Sequence, residues 1–265
     1  MNRRLFVPVL VVSAMVGALD AAAQEKDLIA VELGARGFFG EANGRLRSAP
    51  GVSHVRIDED LDAAGDMTGA GLSLTGHLRG GHTFNVQGWQ YASDGEAVQS
   101  ETQVFGDITL PAGASASTDV DVRYVSAKFV YGVTKEHEPF RVGLGIGGKV
   151  LDWKTEVSLD TGERENMKMR IIYPAAEIEL SYRIGEAIEL RAEGSFGLPA
   201  FEKNGLEIQN PIEARAGLRL MLGGFTLEGG FQVIDALIVE NENQIDESSA
   251  SVNLSGIYFE IAARF

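Results

Sequence analysis

Residues 256–265 read GIYFEIAARF. Counting back from Phe265, every second residue is apolar: Ala263, Ile261, Phe259 and Ile257. The other register holds Arg264, Ala262, Glu260, Tyr258 and Gly256, a mostly polar set. Such alternation marks a β-strand with two unlike faces, because successive side chains of a strand point to opposite sides. In a soluble β-protein the apolar face packs on a core, and in a transmembrane barrel it meets lipid. The rest of the chain has to decide between them.

The same period recurs upstream. In FRVGLGIGGKV (140–150), Phe140, Val142, Leu144, Ile146 and Val150 share a side, opposite Arg141, Gly143, Gly145, Gly147 and Lys149. In IIYPAAEIELSYRI (171–184), Ile172, Pro174, Ala176, Ile178, Leu180, Tyr182 and Ile184 oppose Tyr173, Glu177, Glu179, Ser181 and Arg183. Segments 188–198, 212–222 and 225–233 repeat the pattern. The periodicity predicts about ten strands, over 27–40, 67–79, 83–94, 118–133, 139–158, 165–184, 187–198, 209–222, 224–240 and 251–265, with eight or twelve as alternatives. Segment 51–62 (GVSHVRIDEDLD) reads either as part of a long connection or as a further strand.

The connections alternate in length. RGGH (79–82), TKEHE (134–138), GEA (185–187) and GG (223–224) are short, whereas 41–66, 95–117, 199–208 and 241–250 are longer and polar. LDTGER (159–164) is short among the long ones, so the hairpin around it is expected to project. Short turns at one end and long loops at the other is the layout of an outer-membrane barrel, and an even strand count puts both termini at the short-turn end.

The amino-terminal residues have the build of a secretory signal, with Arg3 and Arg4, an apolar centre, and AAA at 21–23 as a cleavage site. The expectation is a signal peptide over 1–23 and one barrel domain over 24–265. Without residues 1–23 the net charge is −16, which disfavours nucleic acid as a partner. The chain has no cysteine, which excludes disulfides and thiolate metal sites, and its 32 glycines suit an all-β chain rich in tight turns.

Three features favour lipid over a soluble core: the export signal, apolar stripes long enough for the roughly 9–11 residues that cross a bilayer, and the carboxyl-terminal pattern. Ile257, Phe259, Ile261, Ala263 and Phe265 resemble the barrel-assembly signal of outer-membrane proteins, with Ala263 smaller than usual. The chain resembles the small outer-membrane barrels of Gram-negative bacteria, of the OmpA/OmpW-like kind. The resemblance implies an all-β, antiparallel up-and-down transmembrane barrel in the bacterial outer membrane, with termini in the periplasm. It implies outer-membrane lipid, lipopolysaccharide and the barrel-assembly machinery as partners.

If the apolar stripes face lipid, the lumen receives Glu32, Arg36, His77, Arg79, Lys128, Arg141, Lys149, Glu177, Glu179, Glu189, Arg191, Glu193, Glu213, Arg215, Arg219, Glu228 and Glu260. Acids and bases balance there, so an ion-pair ladder is expected to fill the barrel, because unpaired charge in a narrow lumen costs several kcal/mol. A narrow polar channel is the alternative. The acidic excess falls in 56–66 and 238–247, on the expected outer loops. Trp89, Tyr91, Tyr131, Trp153, Tyr182, Phe38, Phe39, Phe231 and Phe259 are expected to form aromatic girdles at the bilayer interfaces.

No metal spacing, phosphate loop or cofactor motif emerges. DEDLD (58–62) lacks the glycine and terminal glutamate spacing of a calcium loop. Ser53, His54 and Asp58 have the chemistry of an acyl-transfer set, but strand neighbours point to opposite faces, which separates Ser53 from His54. The expected function is therefore non-enzymatic, either structural or a narrow passive pore. A surface interaction protein acting through its acidic loops, with an unknown extracellular partner, comes second. A lipid- or protein-processing outer-membrane enzyme comes third.

Overall fold

The computed structural model describes residues 28–47, 55–63, 67–134, 138–198, 206–240 and 248–265. The expected signal peptide lies outside these residues, as do Ser53, His54 and His137. Thirteen strands follow one another: β1 (Leu28–Arg47), β2 (Val55–Arg56), β3 (Met67–Leu78), β4 (Thr83–Val98), β5 (Gln103–Phe105), β6 (Ile108–Leu110), β7 (Ser115–Gly132), β8 (Phe140–Leu159), β9 (Arg164–Ile184), β10 (Ile188–Gly197), β11 (Leu206–Leu222), β12 (Phe225–Glu240) and β13 (Ser248–Arg264).

Ten of them, β1, β3, β4 and β7 through β13, pair in sequence order, and β13 returns to β1 to close the barrel. Every pairing is antiparallel, and closure leaves the ten-stranded wall no free edge. The closing ladder runs from Glu32↔Arg264 to Arg47↔Ser249. Phe265 extends it, since its N–H donates to the Val31 carbonyl at 2.9 Å and its carbonyl accepts from Val31 N at 3.1 Å. The short turns use glycine where the backbone needs a left-handed residue, as at Gly223 (φ 64°) between β11 and β12.

On the outer surface an apolar band circles the lower barrel. Phe39, Phe129, Leu144, Ile172, Leu190, Leu218, Phe231, Ile257, Phe259 and Ile261 are all exposed there. This is the band by which a barrel meets hydrocarbon. It ends at one level from strand to strand. On β8 the outward series changes from Val142, Leu144, Ile146 and Val150 to Asp152, Lys154 and Glu156; on β9 it changes from Ile172 to Arg170 and Lys168. Val125, Val150 and Ile172 lie side by side in the ladder at this boundary.

Above the boundary the strands continue, with apolar residues now on the inside. Trp89, Trp153, Tyr91, Tyr124, Phe38, Leu151, Ile171 and Leu254 form one buried cluster. The expected aromatic girdle is therefore corrected for Phe38, Trp89, Tyr91 and Trp153, which are at most 1% exposed and fill the barrel. Phe39, Tyr131, Tyr182, Phe231 and Phe259 do face outward.

Two connections read as polar loops also join this core. β2 pairs with the upper end of β1 (Leu46↔Val55), above the end of β3. The chain then runs toward β4, where Ser93 Oγ donates to the Ala63 carbonyl at 2.7 Å. Segment 55–63 thus patches the wall where β3 stops, buries Val55, Ile57, Leu61 and Ala63, and adds no barrel strand. The β5–β6 hairpin puts Phe105 and Leu110 into the same core. Its tip reaches β9, with Asp107 N–H donating to Glu165 at 3.3 Å, so it crosses the mouth of the barrel.

Candidate functional site

Strand parity places the charged residues of the lower half inside the barrel. Along β10, Glu189, Arg191, Glu193 and Ser195 point inward while Leu190 and Phe196 point out. Neighbouring strands supply the partners at matching heights, and a belt of ion pairs crosses the lumen.

Glu193 is its hub. It accepts from Arg215 at 2.5 Å, Lys128 at 2.8 Å and Arg191 at 2.9 Å. Lys128 also holds Glu179 at 2.7 Å. Arg191 extends to Glu228 at 3.1 Å, which takes Arg219 at 2.8 Å and the Tyr258 hydroxyl at 2.8 Å. Arg219 reaches Glu32 at 3.3 Å, and His77 Nε2 stands 3.1 Å from the same carboxylate. On the far wall, Lys149 joins Glu213 at 2.7 Å and Glu177 at 3.3 Å. Glu213 also accepts from Tyr124 Oη at 2.6 Å and Gln232 Nε2 at 3.3 Å. Across the closing seam, Arg36 is bound to Glu260, which takes a further bond from Ser73 Oγ at 2.7 Å. The Arg36 guanidinium lies 4.0 Å from the centre of the Trp89 ring, where belt and apolar core meet.

Of the lumen residues read from the sequence, Glu32, Arg36, Lys128, Lys149, Glu177, Glu179, Arg191, Glu193, Arg215, Arg219 and Glu228 all lie in this belt. Arg141 lines a cavity below it. Arg79 does not enter the lumen: it sits exposed in the turn Arg79–Gly81, because β3 ends one residue earlier than expected. Tyr124 and Gln232 were missed as polar partners of the belt. Their inward parity was the available signal, since Tyr124 shares a face with Ser126 and Lys128. At the carboxyl terminus, Ile257, Phe259, Ile261 and Phe265 are exposed on the outer face, Ala263 is half-buried among them, and Phe259 stacks on Phe39 at 5.9 Å across the seam.

The belt leaves little room. The two spaces within it measure about 10 and 30 Å³, no more than a water or two. Among the described residues, no group of three or more His, Asp or Glu is placed to hold a metal ion. The described histidines, His77 and His82, are both at the short-turn end, where His82 Nδ1 accepts from Gly132 N–H at 3.1 Å. Outside, above the band, the charges pair along the wall: Arg170 with Asp152 and Lys154 with Glu156, each at 2.5 Å. There the Arg56 hydrogen bond holds the Asp58 carboxyl below its ordinary value.

No protein-family model matches the chain, and no curated protein matches it by sequence. Solved structures do. The outer-membrane protease OmpT of Escherichia coli superposes with a TM-score of 0.58 at 12% identity, over 91% of this chain and 99% of that one. The translocator domain of the autotransporter NalP from Neisseria meningitidis gives 0.41 at 12% identity, over 100% of both chains. The outer-membrane protein OprG of Pseudomonas aeruginosa gives 0.37 at 10% identity, over 90% of this chain and 96% of that one. The chain has the fold of the closed ten-stranded antiparallel barrels of the Gram-negative outer membrane.

Proposed function

We propose that this protein is a non-enzymatic, structural component of the bacterial outer membrane, a barrel with a closed lumen and both termini in the periplasm. One observation carries the reading: the lumen is filled at two successive levels, by the ion-pair belt and then by the apolar core. A passive pore needs a continuous water path, and this interior counts against one. The outward apolar residues at 257–265 support recognition of the last strand by the barrel-assembly machinery, and the band supports contact with lipid and lipopolysaccharide.

The test is conductance of the refolded protein in a planar bilayer, with folding checked by heat-dependent mobility on a gel. The closed barrel predicts a silent bilayer. Discrete, reproducible openings would refute it and restore the pore.

A second reading is an interaction barrel acting through its outer loops. The wall patch favours it, because the packed segment 55–63 presents Asp58 and Glu59 outward on a fixed frame, with Glu59 64% exposed. Substituting both acids would then weaken capture of an extracellular partner and leave barrel assembly intact.

A further inference from the structure

Below the belt, the short-turn end of the lumen opens as a cavity of about 390 Å³. Among the described residues five arginines line it: Arg141, Arg183, Arg191, Arg219 and Arg264. Three glutamates face them, Glu32, Glu179 and Glu189. Along the described lining bases outnumber acids, although Arg191 and Arg219 share Glu228 of the belt, in a chain whose formal charge is −15.

The acids around this cavity are already engaged. Glu32 is held by His77 and Arg219, and Glu179 by Lys128. Arg191 and Arg219 are turned toward Glu228 in the belt. Arg183 differs from them. It stands opposite Glu189 in the β9–β10 ladder, yet among the described residues its buried Nε has no hydrogen-bond partner. Arg264 is 41% exposed and 3.9 Å from Glu32.

A buried guanidinium donor without an acceptor is costly, and the planar fork of arginine matches the oxygens of a phosphate. One phosphate group carries a charge of about −1.5 to −2 at neutral pH, and its oxygens can accept from two guanidiniums at once. We propose that this vestibule binds a phosphate-bearing anion, with Arg183 and Arg264 as its contacts. In the orientation proposed above it opens to the periplasm, so the phosphate comes either free from that compartment or on the head group of an inner-leaflet lipid.

The experiment uses the folded full-length barrel in uncharged detergent. Inorganic phosphate is titrated calorimetrically, and retention of phosphatidic acid is compared with that of phosphate-free diacylglycerol by native mass spectrometry. Binding of inorganic phosphate identifies a free anion as the ligand; selective retention of phosphatidic acid alone identifies the lipid. In either case Arg183→Gln with Arg264→Gln should weaken binding about tenfold or more, and Arg170→Gln, on the outer wall, should not. Arg183→Lys keeps the charge and removes the fork, and serves if the double variant fails to fold. It too should bind more weakly. No binding of either phosphate probe, or equal binding by wild type and the folded variants, overturns the proposal.

Discussion

Below the level of Val150 the barrel carries its apolar residues outside and its charges inside, and above that level the arrangement is reversed. β8 shows both states in one strand. Its outward residues run Leu144, Ile146, Val150 and then Asp152, Lys154, Glu156, while its inward residues run Arg141, Lys149 and then Leu151, Trp153, Val157. Strand parity never changes; the surroundings do. Hydrocarbon around the lower half takes the apolar side chains and leaves the charges to pair within. Water around the upper half takes the charges, and its interior becomes an ordinary core. One closed sheet thus crosses two solvents, and its alternation changes sign at the boundary.

The contrast can be broken from either side. Trp153→Ala removes a fully buried indole from the upper core and is expected to cost about 3–5 kcal/mol. Limited proteolysis should show the projecting half loosening while the lower barrel stays resistant. Glu193→Ala leaves Lys128, Arg191 and Arg215 facing one another around an empty place, a loss of similar size, about 3–5 kcal/mol. It should appear as a lower urea midpoint for the whole barrel.

A charge on the outside separates the halves further. Ile178→Arg, in the band, should cost about 2–4 kcal/mol of folding free energy. Asn166→Arg, outward on the same strand but above the boundary, should stay within about 0.5 kcal/mol. Folding yield in vesicles checks both, and equal yields would remove the distinction between the halves. Glu179→Gln, inside the lower half, should be milder than Ile178→Arg.

The smallest effect is electrostatic. The Arg56 hydrogen bond holds the Asp58 carboxyl below its ordinary 3.8, so the pair's contribution is complete above that value. It disappears as pH falls through the lower folded-state value. Asp58→Asn should therefore lower protease protection of segment 55–63 slightly at neutral pH, and remove the further loss that wild type shows as pH falls.

Much of the barrel was legible because lipid enforces alternation. The strands expected at 67–79, 165–184 and 224–240 appear at 67–78, 164–184 and 225–240, and the hairpin around 159–164 is long, with β9 at 21 residues. The inward charges were legible for the same reason, since parity fixes their side. Which carboxylate meets which base was not, because that depends on stagger between strands distant in sequence. The upper ends of β1 and β4 were read as loop because their outer residues are polar, as a loop's are. β1 was expected to end at 40 and continues to Arg47. The missed signal was a pair of adjacent apolar residues on successive strands: Phe38–Phe39, Tyr124–Val125, Val150–Leu151, Ile171–Ile172 and Val233–Ile234. Such a doublet has one member on each face and marks where the apolar side changes. Three of them lie at one level, with Tyr124↔Leu151↔Ile171 and Val125↔Val150↔Ile172 in the ladder.

The most direct measurement is a spin-label scan of β8 from Val142 to Val157 in liposomes, feasible because the chain has no cysteine of its own. Labels at 142, 144, 146 and 150 should be relaxed by oxygen in the lipid phase. Those at 152, 154 and 156 should be relaxed by an aqueous nickel complex, and those at 151, 153 and 157 should be shielded from both. Lipid exposure persisting through 156, or free water access at 151 and 153, would contradict a barrel that turns its polarity over at Val150.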